Sequence, residues 1–142
     1  MSNSLVIIPT YNEIENIGRI IRDIFSLSKE FDILIVDYNS PDGTSAEVQL
    51  LINEFPAKLF LEKRLNKLGL GTAYIHGFKW ALNKNYAYVF EMDADFSHNP
   101  IDLMKLYEAC DKNGASLSIG SRYKTGVNVV NWPMSRVLLS WL

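Results

Sequence analysis

The sequence predicts an α/β fold, a mostly parallel sheet with helices on both faces. Short apolar runs alternate along the whole chain with segments of helical periodicity. The first run is continuous and β-branched, as expected of a strand buried on both faces, and the second also reads as a buried strand. Every run except the third is followed at once by polar residues unusual for a plain connection. In open α/β sheets that is the rim where ligands bind.

The elements follow in order. Residues 5–9 (LVIIP) read as a buried strand. Asn12 with Glu15 forms a capping-box pair opening a helix in which Ile14, Ile17, Ile21 and Ile24 recur at helical spacing. Residues 31–36 (FDILIV) are a second buried strand, and Ser40-Pro41-Asp42-Gly43 is a turn. Thr44 and Glu47 make another capping pair for a helix to about Phe55, and residues 58–62 form a short third strand. A basic loop, residues 63–67, precedes a helix over 71–84. Residues 86–92 (YAYVFEM) are a fourth strand running directly into Asp93-Ala94-Asp95. Asn99-Pro100 supplies an N-cap and a first-turn proline for a helix reaching Asn113-Gly114. Residues 115–119 are a fifth strand leading into Gly120-Ser121-Arg122-Tyr123.

Composition narrows the function. The chain has 142 residues, 48% hydrophobic and 21% charged, enough for one domain with a buried core. A formal net charge of −2 argues against nucleic acid as a partner, because phosphate binding needs a basic face. The single cysteine, Cys110, cannot close an internal disulfide and points to a reducing compartment. There is no signal-peptide pattern at the N-terminus and no apolar run of about 18 residues. The last stretch, residues 132–142 (WPMSRVLLSWL), ends in an apolar run without a cap, so the expectation is a domain over 1–142 that is incomplete at its C-terminus. Met134, Val137, Leu138, Trp141 and Leu142 fall on one helical face, which would lie on a membrane surface or pack on residues absent from this chain.

Asp93-Ala94-Asp95 is the strongest chemical signal. Two carboxylates at i and i+2 just past a buried strand can turn toward one point and offer hard oxygens to Mg²⁺ or Mn²⁺. An acid-rich solvated turn is the plain alternative. The first loop, Pro9-Thr10-Tyr11-Asn12-Glu13, has no glycine where a dinucleotide fold places its glycine-rich turn, which disfavours an NAD enzyme. Gly69-Leu70-Gly71-Thr72 lacks the Gly-Lys-Ser/Thr ending of a Walker loop. It is either a tight lead into a helix or part of a loop whose Lys63, Arg64 or Lys67 meets phosphate. Asp37 could accept hydrogen bonds from a ribose or base, or cap the turn of residues 39–42. Arg122 could neutralise a diphosphate, pair with the site acids, or both. His76 reads as structural and His98 as an outer-shell group of the acidic loop.

Together the stretches PTYNEIENI (9–17), VDYNSPDGT (36–44), KLGLGTAYIHG (67–77), MDADFSH (92–98) and GSRY (120–123) resemble the family-2 glycosyltransferases, specifically the dolichyl- and polyprenyl-phosphate mannosyltransferases. The resemblance implies a GT-A fold, the Rossmann-like nucleotide-diphospho-sugar transferase architecture. It implies that Pro9, Tyr11, Glu13, Ile35 and Asp37 surround the nucleoside of the donor. Asp93, Ala94, Asp95 and Arg122 would meet diphosphate, metal and sugar, with Asp93 and Asp95 as metal ligands. Asp93, Asp95 and Arg122 would then be the catalytic set. Ser97 stands where some members have a glutamine ligand, and Tyr38 where the family usually has a second acid.

The activity implied is transfer of mannose from GDP-mannose to a polyprenyl phosphate with inversion, dependent on Mg²⁺ or Mn²⁺. Residues alone imply only a nucleotide diphospho-sugar, so a relative using UDP-glucose or another acceptor, or an inactive nucleotide-sugar-binding fragment, stays open. The lipid acceptor implies a cytoplasmic protein, peripheral at the cytoplasmic face of a membrane.

Overall fold

The structure is a computed structural model and describes residues 2–65 and 69–121. Its elements are β1 (Ser4–Thr10), α1 (Ile14–Phe25), β2 (Asp32–Asp37), α2 (Thr44–Glu54), β3 (Leu59–Lys63), α3 (Leu70–Asn83), β4 (Tyr88–Glu91) and α4 (Asp102–Asp111). The strands form one parallel sheet in the order β3-β2-β1-β4. The chain therefore steps outward from β1 through β2 to β3, then crosses back to β4 on the other side of β1. Strand order reverses between β1 and β4.

Every residue of β1 and β2 is buried, as their apolar centres predict, and the polar residues at their ends are buried with them. Side chains of a strand alternate between faces, and each face has its own cover. On one face Val6, Ile8, Ile33 and Ile35 pack with Ile17, Ile20, Ile21 and Ile24 of α1, Val48 and Leu51 of α2, and Leu103 of α4. On the other, Leu5, Ile7, Leu34 and Val36 meet Ala73 and Ala81 of α3. The buried positions of α3 are Ala73, Gly77 and Ala81, one per turn, so the helix lies close to the sheet. A Cβ placed on Gly77 would sit 2.7 Å from Ile7 Cγ2.

Four sequence expectations change. Asn12 does not cap α1: it adopts a left-handed φ of 59°, and the N-cap is Glu13, which makes no side-chain capping bond. The free amides come to the next loop instead, Glu13 N donating to Thr44 Oγ1 at 3.0 Å and Ile14 N to Asp42 Oδ2 at 3.1 Å. Thr44 is the first residue of α2 rather than its cap. Gly43, at φ 96°, occupies the cap, and Asp42 Oδ1 accepts from Thr44 N at 3.0 Å and Thr44 Oγ1 at 2.6 Å. One aspartate thus serves the starts of two helices, which no local capping motif encodes. At α4 the Asn99-Pro100 pair precedes the helix as a turn, Asn99 Oδ1 accepting from Ile101 N at 3.2 Å.

Residues 115–119 are not a strand. Leu117 and Ile119 are 74% and 79% exposed. An alternating run is held as a strand only by a hydrogen-bonded neighbour and a cover for its apolar side, and among the described residues it has neither. The expected helix over 134–142 lies outside the described residues.

Candidate functional site

The cleft lies at the carboxyl ends of the strands, where the order reverses between β1 and β4, as the open-sheet rule requires. It has a volume of about 240 Å³. The end of β1 and its loop contribute Pro9, Thr10, Tyr11 and Glu13, and the loop after β4 contributes Asp93, Ala94 and Asp95. Tyr38 and the Gly69–Leu70 start of α3 close the third side. Six of the sequence-predicted residues, Pro9, Tyr11, Glu13, Asp93, Ala94 and Asp95, are thus brought together although they lie more than 80 positions apart in part of the set.

The two acids are held differently. Asp95 Oδ1 accepts from the backbone N–H of Ser97 at 2.9 Å, a bond within its own turn. Burial acts to raise the Asp95 pKa, but the Ser97 side chain and backbone, with a smaller contribution from nearby His98, outweigh it and hold the carboxyl below the usual range. Asp93 Oδ1 accepts from the hydroxyl of Tyr74, on α3, at 3.2 Å. Asp93 N donates to His98 Nδ1 at 3.2 Å, which ties His98 to the backbone of the acidic loop. Burial, then the Asp93 charge and hydrogen bond, push the Tyr74 phenol far up, so it stays protonated and remains a donor. Phe96, between the acids and His98, has a left-handed φ of 59°, and the Arg19 guanidinium lies 5.0 Å from its ring centre. A bulky residue there is strained, and the packing from α1 holds the turn that aims the two acids.

These residues suit a hard divalent cation. Two carboxylates approach one cleft, each steadied by a hydrogen bond to one oxygen. Among the described residues no group of three or more acidic, histidine or cysteine side chains assembles a complete cage. Mg²⁺ and Mn²⁺ take a few protein carboxylates and complete their shell with water and substrate phosphate.

Two predicted residues are placed elsewhere. Ile35 is 0% exposed, inside the sheet core. Asp37 is also 0% exposed, and its carboxylate receives Thr10 Oγ1 at 2.8 Å, Ser40 Oγ at 2.6 Å, Ser40 N at 2.9 Å and Ser45 Oγ at 2.7 Å. Burial raises its pKa, but the donors of Ser40, Ser45 and Thr10 outweigh this and bring it down. The carboxylate ties the ends of β1 and β2 and the start of α2 into one rim.

The next residue, Tyr38, lines the cleft instead, because neighbouring side chains of an extended segment point opposite ways. Its hydroxyl donates to Gly69 O at 2.6 Å, and the Arg64 guanidinium lies 5.7 Å from its ring centre. Arg64 Nη1 in turn donates to Thr72 Oγ1 at 3.0 Å. Thr10, Tyr38, Gly69, Leu70 and Tyr74 were not predicted as site residues; the strand-parity rule would have found Tyr38. His76 pairs with Glu62 Oε2 at 3.2 Å and so links α3 to β3. Arg122 and Lys67 lie outside the described residues.

Comparison with known proteins gives this arrangement a family. The profile of glycosyl transferase family 2 matches residues 5–141. The chain is 47% identical over 137 residues to a polyprenol monophosphomannose synthase of Mycolicibacterium smegmatis, covering 96% of this chain and 51% of that protein. It is 46% identical to an undecaprenyl-phosphate mannosyltransferase of Micrococcus luteus, covering 96% and 55%. A dolichol-phosphate mannosyltransferase of Pyrococcus furiosus is 42% identical, with 95% and 37% covered. The chain thus spans about half the length of the first two relatives and less of the third.

Among solved structures, the mannosyltransferase PcManGT of Pyrobaculum calidifontis, in complex with GDP-Man and Mn²⁺, superposes with a TM-score of 0.53 at 26% identity, over 56% of this chain and 24% of that one. S. aureus TarS 1–349 superposes with a TM-score of 0.67 at 21% identity, over 87% and 40%, and supports the fold alone. A parallel sheet whose strand order reverses at a cleft bearing Asp93-Ala94-Asp95, within a profile match over nearly the whole length, identifies the chain as a member of glycosyl transferase family 2.

Proposed function

We propose that this chain is the donor-binding part of a metal-dependent mannosyltransferase that moves mannose from GDP-mannose to a polyprenyl phosphate with inversion. The observation carrying the proposal is that Asp93 and Asp95 share one cleft with Pro9, Tyr11 and Glu13 at the point where strand order reverses. The names of the relatives support the lipid phosphate acceptor, and the GDP-Man and Mn²⁺ held by PcManGT support the donor and the ion.

In this reading Pro9, Tyr11 and Glu13 hold the nucleoside end, and Asp93 and Asp95 hold the cation. Mg²⁺ or Mn²⁺, when bound, neutralises charge on the diphosphate. Arg122 adds a guanidinium to the same charge. Asp37 and Ile35 act from beneath the cleft, Asp37 by fastening the loops that carry Tyr11 and Glu13. A phosphate monoester acceptor is largely dianionic at neutral pH, so its oxygen needs no general base. That oxygen forms the new bond to the anomeric carbon as the bond from that carbon to the diphosphate breaks, and the electron pair leaves with GDP. A single displacement of this kind inverts the carbon. The protein's contribution is alignment and charge. The domain over 1–142 would supply the donor side, working at the cytoplasmic face of a membrane.

Titration calorimetry with GDP-mannose and UDP-glucose, each with and without Mn²⁺, tests the proposal. The expected result is binding of GDP-mannose that strengthens with Mn²⁺ and exceeds that of UDP-glucose. Equal affinity for the two donors removes the GDP-mannose assignment, and indifference to Mn²⁺ removes the metal.

A further inference from the structure

We propose that Tyr74 is a positioning residue for the metal-binding carboxylate, holding Asp93 from α3 so that the seating of this helix on the sheet sets the geometry of the metal site. The inference rests on the assignment of Asp93 and Asp95 to the cation. Asp95 is steadied by its own turn, through Ser97 N at 2.9 Å. Among the described residues Asp93 has no such local donor to its side chain. Its partner is the Tyr74 hydroxyl at 3.2 Å, contributed by α3, the helix that precedes β4 and packs on the face of the sheet formed by Leu5, Ile7, Leu34 and Val36.

The placement of that hydroxyl is fixed by several independent contacts. Tyr38 donates to Gly69 O at 2.6 Å, and Arg64 Nη1 to Thr72 Oγ1 at 3.0 Å, pinning the first turn of α3 to the ends of β2 and β3. Ala73 beside it is 0% exposed against the sheet, and one turn later Gly77 lies against Ile7. The ring of Tyr74 packs on this same apolar cluster, and its hydroxyl reaches Asp93 Oδ1. A carboxylate swinging freely about χ1 and χ2 must be ordered when it takes a cation. One already held by a donor to Oδ1 has less to lose and keeps its other oxygen directed at the ion.

The test is a Mn²⁺ titration followed by electron paramagnetic resonance, with GDP present, on the wild-type chain, Tyr74→Phe, Tyr86→Phe and Asp93→Asn. Phenylalanine keeps the ring and its packing and removes only the hydroxyl. Tyr86 is the control, since its hydroxyl also donates to a carboxylate, Asp32 Oδ2 at 2.8 Å, but at the far end of the sheet. The expected result is Mn²⁺ affinity about tenfold weaker in Tyr74→Phe, unchanged in Tyr86→Phe and lost in Asp93→Asn. Wild-type or tighter affinity in Tyr74→Phe overturns the proposal while leaving the donor assignment standing. An equal loss in Tyr86→Phe also overturns it, because the effect would then be general destabilisation. Absence of Mn²⁺ binding by the wild-type chain overturns both.

Discussion

Asp37 and Asp95 show how two similar residues after two similar strands come to different work. Both end an apolar run and both have lowered pKa values, yet Asp95 lines the cleft and Asp37 is sealed beneath it. Their substitutions separate accordingly. Asp95→Asn removes a charge assigned to the cation, so metal-dependent donor binding falls more than in Asp37→Asn. In an active enzyme containing this domain, turnover falls by at least about 100-fold, the scale of losing one charge-stabilising group. Asp37→Asn leaves a buried amide where four hydroxyl and amide donors converge, so its larger effect is on stability, read by denaturant unfolding. Wild-type metal dependence in Asp95→Asn would remove its role at the cation.

At the scale of elements, α3 decides whether the cleft has its third wall. The helix can approach β1 because Ala73, Gly77 and Ala81 present almost no side chain to the sheet. Gly77→Ala would place a methyl 2.7 Å from Ile7 Cγ2 and 2.8 Å from Ile7 Cδ1, and Ile7 is fully buried with little room to yield. The expected cost is about 1–3 kcal/mol, measured by urea unfolding, the range for an overpacked core. Because Tyr74 lies one turn away, the same variant also weakens Mn²⁺ binding. Stability and Mn²⁺ affinity both equal to wild type would mean that α3 is not seated against β1 as described.

Across the whole molecule, the carboxylates at the rim make stability depend on acid. Asp37 and Asp95 have folded pKa values below the ordinary 3.8. A group lowered on folding contributes stability that is complete above its unfolded value and is lost as pH falls through its folded value. The chain is therefore expected to hold its stability above about pH 5 and to lose it progressively below about pH 4. Asp37→Asn makes that acid limb shallower, as thermal unfolding measured across pH would register. An unchanged slope would mean that the buried hydrogen bonds of Asp37 do not discriminate between its two protonation states. No helix among the described residues is long and apolar enough to cross a membrane.

The apolar runs and the acids after them were enough to read the parallel α/β sheet, its four described strands and the position of Asp93 and Asp95 at the strand-end cleft, because burial on two faces and a polar rim both leave local patterns. Tertiary structure decided the rest. Helix caps were misread at Asn12 and Thr44 because Asp42 and Thr44 satisfy amides of another helix, about 30 residues away, and no spacing along the chain records that. Residues 115–119 have the composition of a strand but, among the described residues, not its neighbour. Asp37 and Tyr38 exchanged places for a similar reason: their order in sequence is visible, but which of the two faces the cleft depends on the direction of the strand end relative to α3. Local chemistry determined what kinds of group stand on the rim, and the seating of one helix on the sheet determined which of them line the cleft.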